Sequence, residues 1–140
     1  MQNKLLINKE KITNYKLRTT MPTLIQDTEV YKMAEKLSDL VWYAYDNWDY
    51  KAQHTIGLQA IRAADSIAAN LSEGFGRYSP ADRKRFYVIA RGSFEETKCW
   101  MRKAIRRKVL STKEQSEIAD VINLLGPKLN LFIKNQNIQK

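Results

Sequence analysis

Four stretches of this chain repeat apolar side chains every three or four residues, and only short polar breaks part them. That spacing is the period of an α-helix with one buried face. Chain punctuation is scarce as well, with five Gly and three Pro in 140 residues. A turn-rich β fold needs many more such residues, so the pattern predicts an all-α protein. Apolar side chains make up 44% of the chain and charged ones 28%, enough to close a core and too apolar for wholesale disorder. The length suits one domain.

The first stretch covers about residues 29–48, with Val30, Met33, Ala34, Leu37, Leu40, Val41, Ala44 and Trp48 as its stripe. Asp27 or Thr28 can cap it, and the run Asp46 to Asp49 ends it. The second covers about residues 55–73 through Ile56, Ile61, Ala64, Ile67, Ala68 and Leu71. Gly74 then stands where a left-handed residue closes a helix. The third runs over about residues 80–107. Ser79 caps it, Pro80 suits the first helical position and Asp82 meets the positive end of the helix dipole. Its expected inward face holds Phe86, Ile89, Ala90, Ser93, Thr97, Trp100, Met101 and Ala104. The fourth covers about residues 113–135, starting after Ser111 or Thr112, with Thr112 and Gln115 placed for a capping box. Ile118, Val121, Ile122, Leu125, Leu129, Phe132 and Ile133 form its stripe, and Gly126-Pro127 predicts a kink. Four such helices joined by short connections predict an up-down-up-down four-helix bundle over residues 27–137. Residues 1–26 are basic and without sustained periodicity, which predicts a loosely ordered arm.

Charge is concentrated rather than spread. Residues 77–108 carry eleven Lys or Arg against three acids, leaving +8 of the chain's net +9. Lys84, Arg91, Lys98, Arg102 and Arg106 fall on one side of a helical wheel, which the expected inward face places opposite the core. Glu95 interrupts this strip as a partner for Arg91 or Lys98. Residues 27–50 are the reverse, with six acids against two lysines. A cationic strip attracts phosphates without reading sequence. The candidate nucleic-acid contacts are therefore Arg77, Lys84, Arg91, Lys98, Arg102, Lys103, Arg106, Arg107 and Lys108. Tyr78, Tyr87 and the tyrosines of the first helix are candidates for stacking on bases. The acidic first helix against the basic third also suits a contact between subunits.

Ser66, Asn70 and Glu73 share one face of the second helix, and Arg77 can return to Glu73 across the glycine turn. With Ser93 they predict a structural polar network that fixes the turn between the second and third helices. Catalytic patterns are missing. The one histidine, His54, has no arginine in the spacing that helical ribonucleases use, and no Glu-x-x-His pair occurs. With one Cys and one His, a zinc site of nitrogen and sulfur ligands is out of reach. Gly74-Phe75-Gly76 follows a helix and lacks the Gly-Lys-Ser/Thr ending of a phosphate loop. The expectation is a non-enzymatic protein without cofactor or metal. No apolar run reaches the length of a membrane span and nothing resembles a secretory leader, so a cytoplasmic location is expected.

The segment Ser66-Ile-Ala-Ala-Asn-Leu-Ser-Glu-Gly-Phe-Gly-Arg77, followed by Arg85-Phe86-Tyr87-Val88-Ile89-Ala90-Arg91-Gly92-Ser93 and Glu96, resembles a known family. It is similar to the four-helix-bundle proteins encoded within intervening sequences of bacterial 23S ribosomal RNA genes, over roughly residues 27–135. The last helix, Ile118 to Lys134, is also similar to the accessory variability determinant of diversity-generating retroelements. That relative is a basic pentameric barrel that binds nucleic acid and a reverse transcriptase. The resemblance implies a homopentameric ring here. Two readings of function follow: a sequence-independent nucleic-acid-binding oligomer, or a structural adaptor whose partner is a protein such as a reverse transcriptase.

Overall fold

The computed structural model describes residues 24–136. Among them are four long helices and no strand. A single 3-10 turn, Ile25–Asp27, leads into α1, Glu29–Tyr45. The second helix, α2, is built from three joined pieces: Tyr50–Ala52, a π-helical turn Gln53–Gly57, and Leu58–Phe75. Helix α3 is Pro80–Arg106 and α4 is Thr112–Lys134. The expected basic arm falls, through residue 23, outside the described residues.

Each terminus has a local cause. Thr28 caps α1 by accepting from the Tyr31 amide, which decides between the two candidates. Helix α1 stops three residues short of Trp48. Asn47 and Trp48 instead donate to Ala44 and Tyr45 in tight turns at 3.1 Å, and Trp48 still reaches the core. Asp49 caps α2 five residues earlier than the apolar stripe predicts, its carboxylate accepting from the Ala52 amide at 2.9 Å. The π-turn that follows adds a residue to the helical ladder, and this shifts the phase of the stripe. Gly57 lies in that turn under the Tyr45 ring, where a Cβ would stand 2.8 Å from ring carbons. Ser111, not Thr112, caps α4. Its hydroxyl accepts from the Glu114 amide while Glu114 accepts from the Ser111 amide, a reciprocal box. Helix α4 runs unbroken through Gly126 and Pro127.

Gly74 does not close α2 in a left-handed conformation. It is a buried helical residue, and no described glycine has positive φ. A Cβ there would stand 2.8 Å from Phe86 Cβ and Tyr87 Cε1, so the missing side chain is what lets α3 come close. The residue with positive φ is Lys108, at 59°, just after α3.

Helix α2 packs along α3 over the longest seam, α1 lies against both α2 and α4, and α3 meets α4 over a shorter seam. Leu37, Val41, Ile67, Leu71, Leu125 and Leu129 are fully buried between them. The α3 contribution differs from the expected face. Tyr87, Ala90, Phe94, Thr97, Met101 and Ala104 are buried, whereas Ile89 is exposed. At 100° per residue this turns the buried face by roughly 50°. Packing decides the phase: Gly74 admits Tyr87 on one side, and on the other a Cβ at Gly126 would stand 3.4 Å from the Phe94 ring.

Candidate nucleic-acid interface

The rotation of α3 moves the cationic strip. It flanks the core instead of opposing it, and its middle, Lys98 and Arg102, borders a groove of about 560 Å³ between α3 and α4. Phe94, Met101, Ile118 and Ile122 contribute apolar surface to that groove. Lys98 is half-buried there, with its ammonium 3.0 Å from Glu95 and 5.2 Å from the centre of the Phe94 ring. Glu95 therefore pairs with Lys98 and not with Arg91.

At the start of α3 the arginines Arg77, Arg83 and Arg85 are occupied, while Lys84 is not. Arg77 pairs with Glu73, stands 3.7 Å from Asp82, and stacks over Phe86 at 4.5 Å. Arg83 donates to the Arg77 carbonyl at 2.7 Å, and Arg85 pairs with Asp82 at 3.0 Å. Arg77 is thus part of the turn that joins α2 to α3. The sequence pointed to Glu73 and Arg77 in this turn but not to Arg83 or Phe86.

The other expected members of the polar network bond locally. Ser66 donates to the Arg62 carbonyl at 2.7 Å, Asn70 to the Ser66 carbonyl at 2.8 Å, and Ser93 to the Ile89 carbonyl at 3.3 Å. These are bonds one helical turn back within a single helix. None of them joins Ser93 to the α2 residues.

The far end of α3 is different. Arg102, Lys103, Arg106, Arg107 and Lys108 form no ion pair among the described residues, and neither do Lys84 and Arg91. Arg106, Arg107 and Lys108 are exposed and consecutive, and cations there also offset the negative end of the α3 dipole. Lys51, which sequence reasoning missed, shares a hollow of about 540 Å³ with Arg107, Thr55 and Val109. Its neighbour Tyr50 is exposed and stacks on His54 with ring centres 3.9 Å apart. Only the fold brings Lys51 and Thr55 to the end of α3, because some 50 residues of sequence separate them from Arg107. Of the stacking candidates, Tyr78 is fully exposed and Tyr43 largely so, while Tyr87 is buried. Burial pushes the Tyr87 hydroxyl above its ordinary pKa, with nearby Arg83 opposing the shift.

Among the described residues no helix is long and apolar enough to cross a membrane, and no group of three or more His, Cys, Asp or Glu could hold a metal ion. The sequence model of the 23S rRNA-intervening sequence protein matches residues 26–131. This chain belongs to that family. The match takes in α1 to α3 and all but the last turn of α4, so the matched region of this chain is its bundle. A crystal structure of a protein of unknown function from the S23 ribosomal protein family of Bacteroides thetaiotaomicron has the same fold. It superposes with a TM-score of 0.67 at 21% identity, covering 75% of this chain and 98% of that one. No curated protein matches the chain.

Proposed function

We propose that this member of the intervening-sequence family is a non-enzymatic, cytoplasmic homo-oligomer that binds nucleic acid without reading its sequence. The observation that carries this reading is the unpaired cation cluster at the end of α3, Lys103, Arg106, Arg107 and Lys108, with Lys51 beside it. Such a cluster gains affinity by releasing counterions from a phosphate backbone. Each helix packs beside its chain neighbours and α1 packs beside α4, with connections of a few residues. Both features support an up-down-up-down winding. The similarity of Ile118 to Lys134 to the last helix of the accessory determinants of diversity-generating retroelements supports a ring of five copies.

Filter binding of single-stranded RNA and DNA over a range of salt tests the reading. The wild-type protein is expected to bind both at low salt. Arg106→Glu with Arg107→Glu is expected to weaken binding at least tenfold while helix content holds. Absence of binding at low salt, or indifference to the double substitution, overturns it. An adaptor that binds a protein such as a reverse transcriptase then becomes the reading to pursue.

A further inference from the structure

The α3/α4 groove and the outer face of α1 carry opposite net charge, the groove through Lys98 and Arg102 against Glu95 and the α1 face through Glu35, Asp39 and Asp46 against Lys32 and Lys36. On α1, Glu35, Asp39, Trp42 and Asp46 stand at i, i+4, i+7 and i+11, hence on one stripe. Trp42 is 55% exposed between acids, and Tyr43 beside it is 67% exposed. None of the three acids forms an ion pair among the described residues. Across the molecule the groove offers apolar surface from Met101, Ile118 and Ile122 beside Asn123 and Asn130, with the Glu95–Lys98 pair and the unpaired Arg102 at its rim. The two surfaces cannot meet within one chain, because α1 packs against α2 and α4 and turns this stripe away from the core.

We infer that the groove between α3 and α4 receives the α1 stripe of a second copy, with Trp42 as the anchor and Glu35 and Asp39 facing Lys98 and Arg102. This rests on the homo-oligomer proposed above and names its interface. A nucleic acid suits the site poorly, since Arg102 is its one unpaired cation and Glu95 repels phosphates. An exposed tryptophan ringed by acids is what an apolar pocket with a cationic rim selects. Because the two patches differ, the contact is head-to-tail and each copy keeps one free knob and one free groove until a ring closes. The contact also divides the strip: Lys98 and Arg102 face a neighbour, and the cluster from Lys103 to Lys108 stays open for phosphates.

The test uses two variants at exposed positions. Trp42→Ala removes the knob, and Arg102→Glu with Ile105→Glu spoils the groove rim. Sedimentation at tens of micromolar is expected to show each alone as a monomer with native helix content. Mixed in equal amounts they are expected to form a dimer and nothing larger, since one intact knob and one intact groove remain. Reversing the charges on both sides, Glu35→Lys and Asp39→Lys with Lys98→Glu and Arg102→Glu, is expected to restore the wild-type mass. Variants that keep the wild-type mass, or a mixture that stays monomeric, overturn this interface while leaving the oligomer intact. A wild-type monomer overturns the oligomer itself.

Discussion

Gly74 and Gly92 are both helical glycines, yet their surroundings give them opposite roles. A Cβ at Gly74 would stand 2.8 Å from Phe86 Cβ and Tyr87 Cε1 and 3.0 Å from the Arg83 carbonyl oxygen. The last of these is backbone, so α3 itself must move. Gly74→Ala is therefore expected to destabilise the fold by about 1–3 kcal/mol, the usual range for overpacking. At Gly92 nothing lies within 4 Å, and the glycine only weakens the middle of α3. Gly92→Ala is expected to stabilise by up to about 1 kcal/mol through helix propensity. Urea denaturation of both variants decides the matter, and a shared sign would show that the α2/α3 approach is not limited by Gly74. Tyr87, the neighbour of Gly74, adds a pH dependence. Its hydroxyl is held above the ordinary 10.0 by burial, so below that pH both folded and unfolded states are protonated and its contribution is complete. As pH climbs from 10.0 toward the raised value the unfolded chain ionises first, and stability is lost. Tyr87→Phe is expected to lower this alkaline loss, read as a smaller drop in urea midpoint between about pH 9 and about pH 11. An unchanged drop would assign the loss to other groups.

At the scale of elements, the parts of the fold that local chemistry decides were legible in the sequence. Ser79, Pro80 and Asp82 start α3 as their residue types require, and the stripe from Ile118 to Leu129 is buried as its spacing predicts. What the sequence hid depends on partners in space. Helix α3 carries two apolar sets, one with Tyr87 and Phe94 and one with Val88 and Ile89, and periodicity alone does not choose between them. The choice is made by gaps on α2 and α4, at Gly74 and Gly126. The early start of α2 was hidden for a related reason. Its π-turn breaks the 3.6-residue rhythm between Ala52 and Leu58, so the stripe counted backward from Ile67 loses phase. The candidate site shows the same division. The cation cluster, the return of Arg77 to Glu73 and a partner for Glu95 within α3 were all visible in the sequence, but the arrival of Lys51 beside Arg107 is a tertiary fact.

For the whole molecule, the distribution of charge ties the two proposals together. One separate chain offers six unpaired cations near the end of α3, namely Lys51, Arg102, Lys103, Arg106, Arg107 and Lys108. Each phosphate that such a group neutralises adds about 0.7 to the salt slope on a single strand and about 0.9 on a duplex. This end of a single copy therefore has a ceiling of about 4 on a single strand, and steeper dependence points to several copies on one strand. If copies join through Trp42, the cluster repeats around the assembly and a long strand meets several at high effective concentration. Trp42→Ala touches none of these cations. It is nevertheless expected to weaken binding of a long single strand by tenfold or more and to bring the slope down to the single-copy ceiling. A strand too short to reach two clusters is expected to bind wild type and variant alike. Fluorescence anisotropy with both strand lengths, titrated across salt, separates the contributions. Equal loss on short and long strands would place Trp42 in the nucleic-acid contact itself, against its acidic surroundings on α1. No loss on either would mean that each copy binds alone, whatever its neighbours do.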